Sequence, residues 1–251
     1  MDRRILVRIP LAGLLLLALL GSGVWLAYGR FSHTYAIKRQ LQEGEQWRYQ
    51  LTQSFQVGQQ STTLNIGYTE AVKKVNPDGS AVVERVLQGD PQTLRALCES
   101  AAPLGEIPTR TLWQVHPDGR ETPLSGKQAP LTLGSASARL LPPHPVRIGE
   151  QWERESQLGS LRTRFRCRLQ GLTKVDGAPC YQIVAHLESL PGSLPQVHGT
   201  ITCYIDRLSG WTRKEEGTIT MTSGSLQMSS QIHIHGQRVS ENPNRRGTSN
   251  G

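Results

Sequence analysis

Four arginines at alternate positions of one predicted strand form the densest run of charge in the chain. Arg162, Arg164, Arg166 and Arg168 alternate with other residues in LRTRFRCRL, and alternate residues of a strand share one face. Guanidinium groups in such a row suit phosphate or carboxylate binding, so the stripe predicts a surface for lipid phosphates, an anionic envelope polymer or an acidic partner. The favoured alternative is a solvated strand face whose charge prevents pairing with other sheets.

Two histidines in QIHIHG offer weaker candidates for metal binding. His233 and His235 lie two residues apart on a predicted strand, so both imidazoles face one side, and His186 or His198 is available to complete a site. No motif places a carboxylate ligand beside them. A plain polar strand face is therefore the favoured interpretation, and we predict no metal or cofactor.

No catalytic constellation stands out elsewhere. Residues 247–251 spell GTSNG, which matches the G-x-S-x-G string of a nucleophile elbow. An elbow requires a strand before the serine and a helix after it, and this string instead lies in a polar, Gly/Asn-rich tail. Paired carboxylates, Ser/His/Asp arrangements and phosphate-binding loops are not recognisable, so the sequence predicts a protein that is not an enzyme.

Four cysteines raise the question of disulfides. The alternation in FRCRL and ITCYI turns Cys167 and Cys203 toward the apolar side of their strands, where they are able to meet in one core. Cys180 competes as a partner, because a hairpin between 180–187 and 199–206 would place it nearly opposite Cys203. Buried free thiols are an equal alternative. The fourth cysteine is Cys98, and no CxxC or Cys/His cluster suggests structural zinc.

These residues follow a long apolar segment. Ile9 to Tyr28 is an uncharged run of twenty residues preceded by three arginines, and twenty helical residues span the hydrocarbon core of a bilayer. We predict a signal anchor over residues 1–29, with a cleaved signal peptide as the alternative. No cysteine follows the run in the position that lipid attachment requires.

The orientation of this segment is decided by context and not by charge. Arg30, Lys38 and Arg39 on one side balance the three arginines on the other. A short N-terminal tail before a long polar body favours a single-pass protein of the inner or plasma membrane whose body is periplasmic or extracellular. Secretion after cleavage is the alternative. Such a location makes nucleic acid an unsuitable partner, and the body's 25 basic and 19 acidic residues suit envelope anions instead.

The body itself reads as mainly β. It contains alternating apolar runs separated by Asn-Pro-Asp-Gly at 76–79, His-Pro-Asp-Gly at 116–119 and Asp-Gly at 176–177, which are strong hairpin signals, and by the DRLSG turn at 206–210. GEQW occurs at 44–47 and again at 149–152, and similar strand and turn patterns follow each copy. We therefore predict tandem β-sheet repeats over 41–142 and 143–240, after a linker over 30–40 and before a disordered tail over 241–251. Trp47 and Trp152 are predicted core anchors.

The second repeat resembles a known class of proteins. LLPPHPVRIGEQWERE at 140–155 and DRLSG at 206–210 are similar to the P-x-P-V-x-x-G-[DE]-x-W and D-x-x-[ST]-G patterns of exported bacterial β-rich proteins of uncharacterised chemistry. These look like relatives of the half-barrel class that includes the periplasmic lipoprotein carriers, in which a curved antiparallel sheet wraps a helix or a ligand. The resemblance implies a half-barrel-like fold and no catalytic residues. The helices that cover the sheet in the carriers are not evident in this sequence.

Together these features predict a membrane-tethered or secreted envelope protein that binds a lipid-like or anionic ligand, or a protein partner, without catalysing a reaction. A structural or assembly subunit of an envelope complex is the first alternative. A metal-dependent hydrolase that uses His233 and His235 is the second.

Overall fold

The structure is a computed structural model that describes residues 33–89, 109–124, 139–158, 161–193 and 195–239. The predicted signal anchor, the GTSNG string and Cys98 all lie outside these ranges. Within them, no helix is both long enough and apolar enough to pass through a membrane.

The described chain forms a single antiparallel sheet of eleven strands, which confirms the mainly β prediction. The strands are β1 Gln46–Val57, β2 Gln60–Val75, β3 Ala81–Gln88, β4 Arg110–Val115, β5 Glu121–Pro123, β6 Gln151–Leu158, β7 Leu161–Val175, β8 Ala178–Ser189, β9 Gln196–Asp206, β10 Thr212–Ser223 and β11 Leu226–Arg238. Their order is β5-β4-β3-β2-β1-β11-β10-β9-β8-β7-β6. Two meanders thus join through the β1–β11 pair, and the sheet is open, with β5 and β6 at its edges.

The predicted turns connect these strands as expected. Asp176 and Gly177 join β7 to β8 with φ values of 49° and 78°, the left-handed pair that a two-residue type I′ hairpin needs. At 76–79 the Asp78 carboxylate accepts the Ser80 backbone N–H at 2.9 Å, which stabilises the turn between β2 and β3. The hairpins predicted at 116–119 and 206–210 also form.

The two GEQW segments adopt the same local geometry. Gly44 and Gly149 have φ values of 82° and 89°, which favour glycine, and their N–H groups donate to Val72 O and Leu169 O. Each segment then leads directly into the first strand of its meander. We keep tandem duplication over 41–142 and 143–240 as a proposal that this shared geometry supports.

Most of the buried apolar positions of the strands lie on one side of the sheet, here called the inner face. Two clusters of buried residues cover it, one around β1 to β4 and one around β6 to β9. Trp47 is fully buried in the first cluster and Trp152 is 6% exposed in the second, which confirms both as core anchors. The segments 33–41 and 139–149 cross the inner face and pair with each other through Tyr35 and Val146.

Candidate binding site on the inner face

The second cluster is filled by the chain's own residues. Leu140, Leu141 and Val146 are fully buried against β6 to β9. Trp152 Nε1 donates to Leu140 O at 2.9 Å, and Arg154 Nε donates to Leu141 O at the same distance, so β6 holds this segment in place. This half of the inner face is therefore a packed core.

The half formed by β1, β2 and β3 contains a buried ionic group. Glu70 on β2 is paired in register with Arg85 on β3, and Arg85 Nε donates to Glu70 Oε1 at 2.6 Å. The same guanidinium donates to both carboxylate oxygens of Glu121 on β5, at 2.5 and 3.1 Å. Burial alone would lower the pKa of Arg85 and raise that of Glu121, but their pairing outweighs it and shifts each pKa the other way.

Four residues next to Arg85 and Glu121 form what we call the polar cluster. They are Arg39, Tyr49, Tyr68 and Glu70, the last of which is also hydrogen-bonded to Arg85. The Tyr49 and Tyr68 rings come from paired positions of β1 and β2 and stack with centroids 4.8 Å apart. Arg39 comes from the segment before β1, and its guanidinium lies 4.6 Å above the Trp211 ring. All four side chains are at least nine-tenths buried.

Several polar atoms of this cluster have no hydrogen-bond partner among the described residues. They are all three guanidinium nitrogens of Arg39, both tyrosine hydroxyls and Glu70 Oε2. Arg39 approaches carboxylates only at ion-pair distances, 3.5 Å to Glu121 Oε1 and 4.0 Å to Glu70 Oε2. Burial, with the Glu70 charge, raises the pKa of Tyr49 and Tyr68 well above the ordinary value, so both hydroxyls stay protonated and able to donate.

A row of stacked aromatic rings packs against the polar cluster. Trp211 stacks on Trp47 at 5.9 Å and Trp47 on Tyr49 at 6.5 Å. The Glu45 carboxylate fixes both indoles, because it accepts Trp47 Nε1 at 3.1 Å and Trp211 Nε1 at 3.2 Å. Gly236 on β11 leaves room for the Tyr49 ring, since a Cβ there would overlap the Thr212 carbonyl oxygen and lie 2.5 Å from Tyr49 Cε1.

Away from the cluster, the inner face becomes more apolar and less covered. The inward positions of β1 are Tyr49, Leu51, Gln53 and Phe55, a span of six residues or about 20 Å. Gln53 is the polar member of this row, and its amide donates to Ser230 Oγ on β11 at 2.9 Å. Leu51 is buried, whereas Phe55 is only half-buried. Half-buried inward positions of the neighbouring strands continue this surface: Leu64, Ile219, Met221, Met228 and Ile232.

The predicted arginine stripe lies on the opposite, outer face and meets carboxylates of both neighbouring strands. Arg164 Nη2 lies 3.4 Å from Glu155 on β6, and Arg166 Nη2 lies 2.8 Å from Glu188 on β8. Arg162 also pairs with Glu155, at 3.9 Å, while Arg168 stands opposite Gln151. These ion pairs support the solvated strand face over an anion-binding surface.

The histidines also face outward. His233 and His235 share one side of β11 as predicted, but His235 Nε2 lies 3.3 Å from the Asp176 carboxylate. His186 bonds to Thr200, and His198 stands opposite Glu188. In the part of the chain that the structure describes, no three His, Cys, Asp or Glu side chains are grouped closely enough to hold a metal ion.

The three described cysteines occupy separate places in the sheet. Cys167 and Cys203 are buried on the inner face as predicted, but they stand on β7 and β9 with β8 between them. The expected opposition of Cys180 and Cys203 is wrong, because Cys180 pairs with Asp206 and Cys203 pairs with Ile183. Cys180 and Ile183 are three residues apart on β8, so their side chains lie on opposite faces, and Cys180 points to the outer face. Burial raises the pKa of the Cys167 thiol to about 12, as expected of an inert structural thiol.

Sequence reasoning missed the polar cluster. Glu70 falls on the apolar phase of β2, between Tyr68 and Val72, and Arg85 falls on the apolar phase of β3. The signal available in the sequence was a charged residue whose neighbours two positions before and after it on the strand are apolar, since such a residue must point inward. Arg39 lies outside any strand, so no periodicity could have assigned it.

Proteins similar to this chain are found among solved structures. No protein-family model and no curated protein matches this chain. The chain is similar to a DUF1329 family protein from Desulfovibrio piger ATCC 29098, with a TM-score of 0.22 and 11% identity over 87% of this chain and 90% of that one. It is also similar to a putative outer membrane lipoprotein-sorting protein domain from Vibrio parahaemolyticus, with a TM-score of 0.24 and 9% identity over 90% of this chain and 97% of that one.

Proposed function

We propose that this protein is a non-enzymatic component of the cell envelope that binds a lipid-like ligand on the inner face of its sheet. The observation that carries the proposal is the half-buried, mostly apolar surface around Phe55, which continues from the covered inward positions of β1 and includes the polar side chain of Gln53. A surface that is apolar at one end and carries buried polar groups at the other suits an amphipathic molecule.

The predicted setting fits this role. An anchor over residues 1–29 would tether the body outside the cytoplasm, beside a bilayer that supplies lipid-like molecules; cleavage would release the body into the same compartment. The outer face contributes little to ligand binding, because Arg162, Arg164 and Arg166 are already paired with carboxylates. Its mixed charge suits a solvated surface.

The proposal is tested by measuring the lipids that accompany the purified protein. We expect full-length protein in a mild non-ionic detergent to retain lipid that organic extraction and mass spectrometry detect. Phe55→Lys should reduce that lipid at least about tenfold, because a charge is placed in the apolar surface. Gln56→Lys adds the same charge one residue away on the outer face and should leave the lipid unchanged.

This pair of variants separates bound ligand from lipid that surrounds the predicted anchor. Annular lipid is the same in both variants, so only ligand on the inner face responds to the position of the charge. Equal lipid in both variants, or none above the background of an unrelated anchored protein, would contradict the proposal.

A further inference from the structure

The polar cluster carries more hydrogen-bond donors than the protein satisfies. A guanidinium has five N–H groups and each tyrosine one O–H, and none of those on Arg39, Tyr49 and Tyr68 has a hydrogen-bond acceptor among the described residues. The unpartnered acceptor among these side chains is Glu70 Oε2. The unmet requirement is therefore mainly for oxygen acceptors.

The geometry concentrates these donors in one place. The two tyrosine rings stack at an interplanar angle of 15° with their centroids 4.8 Å apart, so the two phenol groups lie close together on the inner face. Arg39 lies 4.0 Å from Glu70 Oε2, and its guanidinium packs over the Trp211 ring. A planar guanidinium is suited to paired hydrogen bonds with two oxygens of a carboxylate or phosphate.

We propose that Arg39, Tyr49 and Tyr68 bind the oxyanionic head group, carboxylate or phosphate, of the ligand. This inference rests on the proposed function and adds the class of ligand to it: an acyl or alkyl chain with an anionic oxygen-rich end. The chain would lie along Leu51 toward Phe55, a distance of about 20 Å that suits a long extended chain.

The charges around the cluster are compatible with an added anion. Glu70 and Glu121 face it, but both are already hydrogen-bonded to Arg85. Glu215 on β10 is a further buried carboxylate that acts on Tyr68. Arg139 is a third arginine near Glu121, and burial, together with the Arg85 charge, lowers its pKa.

The test compares three probes on full-length protein in non-ionic detergent: hexadecyl phosphate, hexadecanol and inorganic phosphate. Binding is followed by tryptophan fluorescence and the melting temperature without ligand is recorded. The informative variant is the double change Tyr49→Phe with Tyr68→Phe. Tyr204→Phe is the control, because its hydroxyl donates to Glu216 on the outer face.

We expect wild type to bind hexadecyl phosphate at least about tenfold more tightly than hexadecanol, because charged acceptors gain most from the free donors. The double variant should lose most of that difference and melt at the same or a higher temperature, since it removes two buried unpaired hydroxyls. The Tyr204→Phe protein should keep the difference.

Four different results would overturn the inference, and they differ in what they say about the proposed function. If both amphiphiles bind equally and the double variant changes neither, the head-group site is refuted while the proposed function stands. If neither binds, both fail. Inorganic phosphate that binds as tightly as hexadecyl phosphate refutes a tailed ligand, and a double variant that melts lower shows that the hydroxyls have structural partners.

Discussion

Substitution of Glu45 by glutamine should cost far more stability than the same change at Glu150, the matching glutamate of the second GEQW segment. The Glu45 carboxylate accepts the indole N–H groups of Trp47 and Trp211, and both rings are fully buried. Glutamine retains one acceptor oxygen and presents an amide NH₂ to the second indole. One buried N–H is then left facing another donor.

The size of the effect follows from these contacts. A hydrogen bond to a charged acceptor contributes about 1.5–3 kcal/mol, and an unsatisfied buried donor costs about 1–3 kcal/mol. Arg238 lies 3.3 Å from Glu45 but is itself 54% exposed, so this ion pair adds little. We expect Glu45→Gln to lower the free energy of unfolding by about 3 kcal/mol.

Glu150 supplies the control because its environment is different. Its side chain is 35% exposed, and it accepts the Arg147 backbone N–H at 2.8 Å, a bond that a glutamine oxygen can also accept. Glu150→Gln should cost less than about 1 kcal/mol. Urea denaturation followed by tryptophan fluorescence measures both, with an unchanged dependence on urea concentration. Equal losses in the two variants would refute the role assigned to Glu45.

Two further predictions concern packing and pH. Gly236→Ala should lower the free energy of unfolding by at least about 2 kcal/mol, because its Cβ would overlap the Thr212 carbonyl oxygen and the Tyr49 ring. Gly171→Ala, with no atom within 4 Å, should change it little, and comparable losses would contradict this packing. Stability should also fall as the pH drops below the ordinary carboxyl range. Burial alone would raise the pKa of Asp206, but hydrogen bonds from Arg213 and two backbone N–H groups lower it, so the unfolded chain takes up the proton first. Asp206→Asn should weaken the pH dependence of the urea midpoint, and an unchanged dependence would count against it.

Local chemistry explains which parts of the fold the sequence could predict. The Asp176-Gly177 turn requires left-handed backbone at two adjacent residues, and that requirement is visible in the residue types. Alternation along β7 placed Cys167 inward for the same local reason. The β1–β11 pairing that joins the two meanders links residues far apart in sequence, and no turn specifies it.

Which side chains meet in the candidate site depends on the register between neighbouring strands. Alternation along a single strand gives the face of each residue but not its neighbours on the next strand. The arginine stripe looked like an unpaired basic surface because Glu155 and Glu188 become its neighbours only when β6 and β8 are placed beside β7. In the same way, Glu70 and Arg85 looked like isolated charges within apolar strands. Pairing of β2 with β3 brings them together and creates the buried ionic group.

Photocrosslinking shows which residues of the protein contact a lipid-like ligand. A long-chain probe with a photoreactive group in its tail is added to the full-length protein, and the modified peptides are identified by mass spectrometry. If the ligand binds on the inner face, we expect adducts on inward residues of β1, β2 and β11, centred on Phe55 and Met228. Adducts spread over the outer face, or confined to the apolar segment at 9–28, would contradict it.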